Sequence, residues 1–174
     1  MKTYKICLIG DDKVGKTSWI NRLKTGNFTT EYNYTVGCEV NKVVFNYEDL
    51  VGLGFISKEE KKDNKKVCFE IWDTAGVEKY TGLKTGYYTG ADGFIIMFDV
   101  TNKESYKNVP AYYRDAFRVC GKVPMVIIGN KCDSDKDRVV RPKDIRFHRK
   151  KEIHYYDISV KSFYNIYKPL TDLY

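Results

Sequence analysis

The chain has no apolar run approaching the roughly 20 residues that a helix needs to cross a bilayer. Its first residues, with Lys2, Tyr4 and Lys5 among them, lack the apolar core of a secretory signal. Both absences point to a protein of the nucleus and cytoplasm. Cysteine pairing is missing as well. Cys7, Cys38, Cys68, Cys120 and Cys132 form no C-x-x-C, and several sit inside apolar runs, so free and mostly buried thiols are expected rather than a metal or redox centre. No Cys-a-a-X closes the sequence, which leaves prenyl anchoring to a membrane unsupported. What is present is a length of 174 residues, enough for one domain over 1–174 that buries a core without disulfide or metal staples. A monomer is the expectation.

Thirty basic against 23 acidic side chains give a formal charge of +7, and the excess is uneven. Arg138, Arg141, Lys143, Arg146, Arg149, Lys150 and Lys151 crowd the last quarter of the chain. Such a face attracts nucleic acid, membrane headgroups or an acidic protein segment, or is a solvated helix face with no partner; composition leaves these open.

The strongest local signal is Gly10-Asp11-Asp12-Lys13-Val14-Gly15-Lys16-Thr17-Ser18, which fits G-x-x-x-x-G-K-[ST]. The run from Tyr4 to Ile9 before it has the character of a strand buried in a parallel sheet, and a helix is expected from about Lys16. Unpaired backbone N–H groups of Asp11 to Val14 and of the helix start through Ser18 then form a cradle for phosphate oxygens. Gly10 and Gly15 allow the tight turn, Lys16 places its ammonium on the terminal phosphates, and the Thr17 hydroxyl can ligate Mg²⁺.

Along the rest of the chain, apolar strand-like runs alternate with helical ones. Thr17 to Lys24 reads as a helix stopped by Gly26, and Cys38 to Tyr47 as a strand near an edge. Between Glu48 and Lys66 the pattern breaks into Gly52, Gly54 and a mixed-charge run. A long, mobile connection between two antiparallel strands, with nothing to bury, is expected over 48–66. Strands follow at Val67 to Trp72, Phe94 to Val100, Val123 to Gly129 and Ile153 to Ile158. A helix lies within Ser105 to Cys120, regular from about Pro110, and a short one begins in the tail. The fold class is α/β: a doubly wound, mostly parallel six-stranded sheet with helices on both faces, the P-loop NTPase arrangement. A ligand belongs at the carboxyl ends of its strands, where the motifs fall.

Asp73-Thr74-Ala75-Gly76 follows a strand, and suits an aspartate that holds Mg²⁺ through water and a Gly76 N–H that reaches a γ-phosphate. Asn130-Lys131-Cys132-Asp133 is sharper, because a carboxylate at a strand end accepts both N–H donors on the edge of guanine while Lys131 lays its stem along the base. Loop amides in Ser159-Val160-Lys161 can reach the guanine carbonyl oxygen.

With these four elements in order, the chain resembles the Ras superfamily of small GTPases over its whole length, and within it the Ran family of nuclear-transport GTPases. The finer likeness rests on Trp72 to Gly76, Gly86-Tyr87-Tyr88, Ile95 to Thr101, Tyr106 to Pro110, Arg114-Asp115, Arg118-Val119-Cys120, Phe147 to Lys151 and Tyr155 to Ser159. The resemblance implies a switch between GTP and GDP that uses Mg²⁺, with segments 27–37 and 74–90 ordered by the γ-phosphate. Thr35 is similar to the switch threonine that closes on Mg²⁺ and γ-phosphate, Phe28 to the aromatic flanking guanine, and Tyr32 to the tyrosine over the phosphates. The implied partners are nuclear transport receptors, an exchange factor, and activating or Ran-binding proteins. The patch His148 to Lys151 is similar to one that meets acidic protein segments, with nucleic acid disfavoured.

Four departures from that family matter. Val77 stands where the family has the glutamine that orients the attacking water, and valine cannot hydrogen-bond water. Asp12 replaces a glycine close to the γ-phosphate, where negative charge repels. The connection over 48–66 is longer than its counterpart, and the chain stops at Tyr174 without an acidic tail. The expectation is a protein that binds GTP and Mg²⁺ well and hydrolyses GTP slowly. Alternatives are a GTP-loaded, essentially non-hydrolysing protein that sequesters transport receptors, and a Rab-type trafficking GTPase. A P-loop kinase is weaker still, having no use for Asn130 to Asp133.

Overall fold

The computed structural model describes residues 1–30, 35, 37–58, 66–75 and 81–174, with the backbone alone at 81–83. Six strands form one sheet: β1 (Lys2–Ile9), β2 (Cys38–Phe45), β3 (Val67–Thr74), β4 (Gly93–Asp99), β5 (Met125–Asn130) and β6 (His154–Asp157). Their order is β2-β3-β1-β4-β5-β6, with β2 antiparallel to β3 and every other pair parallel. The expected edge strand is therefore β2. All residues of β4 and β5 are buried, as central parallel strands covered on both faces must be.

Alternation along each strand sorts the core into two layers. On one face Ile6 and Leu8 meet α1 (Lys16–Thr25) through Trp19, Ile20 and Leu23, and α7 (Lys168–Leu173) through Leu170 and Leu173. On the other, Cys7 and Ile9 join Tyr88 of α3 (Thr81–Tyr88) and Val109 and Ala116 of α5 (Val109–Cys120). The short helices α4 (Lys103–Lys107) and α6 (Phe147–Lys151) lie on this second side, where Tyr106 and Phe147 pack against the layer. Pro110 sits in the first turn of α5, where its missing N–H costs nothing.

The segment after β2 departs from expectation. Residues 47–52 form α2 (Tyr47–Gly52), opened by a reciprocal capping box in which Asn46 Oδ1 accepts the Asp49 N–H and Asp49 Oδ2 accepts the Asn46 N–H, both at 2.9 Å. Leu50 is fully buried and Ile56 nearly so. Phe55 packs at 5.3 Å from Phe45, 5.9 Å from Phe69 and 5.6 Å from Tyr174. Far from having nothing to bury, the first half of the connection extends the core; residues 59–65 lie outside the described ones. Among the described residues no helix is long and apolar enough to cross a membrane.

Candidate functional site

β1 lies between β3 and β4, so the chain's progress through the sheet reverses direction there. A cleft of about 510 Å³ opens at the carboxyl ends of the strands beside this point. At one end of it, α1 starts with no side-chain cap and no acid in its first turn, behind a left-handed Gly15 (φ 106°). A helix start without a capping side chain is the arrangement that suits an outside acceptor. A Cβ at Gly10 would overlap the Met97 carbonyl oxygen and one at Gly15 the Asn130 amide nitrogen, so both positions exclude any side chain. Lys16 is buried and donates to the carbonyls of Gly10 at 3.0 Å and Asp11 at 2.8 Å, which holds its ammonium against the loop.

Beside it three side chains converge. The Thr17 hydroxyl donates to Asp73 Oδ2 at 2.6 Å and lies 2.9 Å from Thr35 Oγ1. Asp73 Oδ1 is buried and has no hydrogen-bond partner among the described residues. Burial pushes the Asp73 carboxyl above its ordinary range, against the opposing pull of the Thr17 hydrogen bond and the Lys16 charge. An unsatisfied carboxylate oxygen next to two hydroxyls is a hard-oxygen set that fits Mg²⁺.

At the other end, Asp133 Oδ1 accepts the Ser159 hydroxyl at 2.6 Å. Lys131, left-handed at φ 67°, pairs with Asp99 at 2.6 Å and donates to the Lys13 carbonyl at 3.2 Å. The Asn130 side chain spans the two halves: its Nδ2 donates to Val14 O at 2.9 Å and its Oδ1 accepts the Val160 N–H at 3.2 Å. Phe28, Val160 and Lys161 line the same cleft, as do Asp12, Lys13 and Ser18.

Not every expected residue faces this space. The Asp11 carboxylate turns away, accepting from Asn108 Nδ2 at 2.7 Å and Tyr112 OH at 2.9 Å, so it fastens the loop to α4 and α5 and leaves only its backbone to the cleft. Val14 is buried in the core, and Ser159 sits wholly behind Asp133. Tyr32, Gly76 and Val77 lie outside the described residues. Asn21, Thr29, Thr30, Thr74 and Ser134 also line the cleft; Thr74 lies within the Asp73 to Gly76 motif and Thr29 and Thr30 within segment 27–37, but none of the three is singled out there, and Asn21 and Ser134 belong to no fixed-spacing motif.

The basic stretch is less uniform than its composition. Arg138 is 8% exposed and forms a bidentate pair with Asp157 at 2.7 and 3.0 Å, so it belongs to the interior. His148 leans on the Tyr155 ring, and burial with the neighbouring Arg149 charge lowers its pKa, keeping it neutral at pH 7. The exposed cations of α6 are Arg149, Lys150 and Lys151.

A glycine-lysine loop between a buried parallel strand and an uncapped helix, set at the switch point of the sheet, defines a P-loop NTPase of the α/β class. The sequence matches the model of the Ras family over residues 5–174, and the chain belongs to that family. Its general character follows: a small GTP-binding switch with GTPase chemistry.

Proposed function

We propose that this protein is a Ran-like switch that binds GTP and GDP with Mg²⁺, acts in nucleocytoplasmic transport in the nucleus and cytoplasm, and hydrolyses GTP slowly. The observation that carries the nucleotide reading is one cleft with the Lys16 ammonium and an uncapped helix start at one end and the Asp133 carboxylate at the other. Lys16 exchanges loop carbonyls for phosphate oxygens, and the opening N–H groups of α1 donate to the remaining ones. Asp133 receives the two guanine N–H donors, and the Val160 and Lys161 amides face the guanine carbonyl oxygen. Thr17, Thr35 and Asp73 are the residues that would hold Mg²⁺, and the ion would there neutralise phosphate charge.

Asp12 lines the phosphate end of this cleft, and Val77 brings no group able to orient water. Both disfavour hydrolysis, which favours as second reading a GTP-loaded protein that sequesters transport receptors. Those receptors, an exchange factor, and activating or Ran-binding proteins are the proposed partners, with Arg149, Lys150 and Lys151 presented to acidic segments. The proposed switch acts as a monomer. The test is to identify the nucleotide released from purified protein and to follow loss of γ-phosphate in a single turnover. Release of a guanine nucleotide is expected, and Val77→Gln should speed hydrolysis about tenfold or more. No increase would remove Val77 as the cause of slow turnover.

The Asp73 pKa adds a second expected result. Because burial raises its folded pKa, Asp73's own contribution to the stability of the apo protein is fully present below the ordinary carboxylate range and is lost as pH climbs through the folded value. Asp73→Asn should flatten this slope in nucleotide-free melts while weakening Mg²⁺ dependence of GDP retention by about 10- to 100-fold. An unchanged slope would mean that folding does not raise the Asp73 pKa.

A further inference from the structure

We infer that Arg22 is a positioning residue that clasps the two walls of the base end of the cleft and sets how long a guanine nucleotide stays bound. The inference rests on the guanine-nucleotide reading above. Helix α1 runs from the phosphate loop to its left-handed C-cap at Gly26 (φ 70°), and two of its side chains, one turn apart, grip the segment after β6. Trp19 is buried and fixed, its Nε1 donating to the Ile166 carbonyl at 3.0 Å. Arg22 lies nearer the end of the helix and has the more exposed grip: Nη1 donates to the Gly26 carbonyl at 2.6 Å and Nη2 to the Lys161 carbonyl at 3.4 Å.

The guanidinium also lies 4.9 Å over the Phe163 ring. Gly26 is two residues before Phe28, and Lys161 follows Val160 directly; Phe28, Val160 and Lys161 all line the cleft that Asp133 enters. One planar fork thus joins two walls that come from opposite ends of the sequence. Lysine has a single point of attachment and cannot span both carbonyls while stacking on the ring.

The turn that Arg22 holds is strained. Phe163 is left-handed at φ 64° and Asn165 at φ 54°, while Ser159 and Tyr164 close the loop by exchanging backbone hydrogen bonds at 3.1 and 3.0 Å. Asparagine takes this backbone readily, whereas for phenylalanine it is uncommon and costly. A phenylalanine kept at a strained position, beneath a guanidinium, fits a residue held for the contact it makes. The clasp works at the base end, away from Thr17 and Asp73, so its effect on nucleotide lifetime does not pass through the metal.

The experiment is dissociation of fluorescent mant-GDP from the full chain, chased with excess GDP, with Mg²⁺ present and with a chelator. Arg22→Ala should speed release about tenfold, by the same factor in both conditions, with Arg22→Lys between it and the wild type. Phe163→Asn removes the ring but relieves the backbone. It should speed release about threefold without lowering the melting temperature, which a purely structural role would not produce. Release from Arg22→Ala within twofold of wild type, or an acceleration confined to one Mg²⁺ condition, overturns the clasp while leaving the guanine reading intact. A wild-type protein that fails to hold mant-GDP at all overturns both.

Discussion

Replacing Asp133 by alanine is expected to weaken GDP binding about a thousandfold, while an adenine nucleotide, bound poorly by either protein, changes little. The Asp133 carboxylate stands at the base end of the cleft with one oxygen already accepting from Ser159. A guanine edge brings two N–H donors to it, and each charge-assisted hydrogen bond contributes about 1.5–3 kcal/mol, so the pair accounts for about 4 kcal/mol or a factor near 10³. Asp133→Asn should do more than weaken. Its amide presents a donor where the carboxylate presented an acceptor, so a base with a carbonyl on that edge, xanthine, should gain as guanine loses. Competition titrations of GDP and xanthosine diphosphate against mant-GDP read both effects. If Asp133→Ala binds GDP within tenfold of wild type, the base does not sit at Asp133.

Leu50→Ala should cost the protein about 2–5 kcal/mol of stability. Leu50 is 0% exposed in the layer that holds α1 and α7, and the truncation leaves a cavity under Phe55 and Ile56. Denaturant unfolding of the nucleotide-free protein measures it, with Lys58→Ala, an exposed position further along the same connection, expected to stay within about 0.5 kcal/mol. A Leu50→Ala midpoint indistinguishable from wild type would return residues 48–56 to the status of a tolerated, unpacked loop.

That segment shows why part of the fold was not legible in the sequence. A helix as short as Tyr47–Gly52 offers too few turns for a 3.6-residue period to show, and the charged run beginning at Lys58 set the tone for the whole connection. The signal that was present, Asn46 three residues before Asp49, is a capping pair with an aspartate in the place usually held by glutamate or glutamine. By contrast the strands β4 and β5 were legible because unbroken apolar runs have few other uses than a sheet covered on both sides.

The same division runs through the cleft. Gly10, Gly15 and Lys16 could be read from spacing, since the chemistry of phosphate dictates it. Motifs name residue types but not the direction in which side chains turn. Hence Asp11 reads as a cleft residue although its carboxylate serves Asn108 and Tyr112, and Asn130 reads as part of a base-binding motif although both ends of its amide are spent joining Val14 to Val160. Arg138 was counted with surface charge because nothing local announces that Asp157 will meet it.

The close approach of Gly10 to the Met97 carbonyl bears on how the protein is made. Strand β1 is synthesised first, yet Lys2 pairs with Val67 and Ile6 with Gly93. The cost of closing such long loops grows only with the logarithm of their length, about 0.6 kcal/mol per doubling, so the added connection before β3 hinders assembly little. What it cannot shorten is the wait. A nascent chain that has not yet emerged beyond Met97 carries the letters of the phosphate loop with no wall behind them, and ligand cannot stabilise it during synthesis. Rescue of a folding-defective variant by added nucleotide should accordingly act after translation of β4, not before.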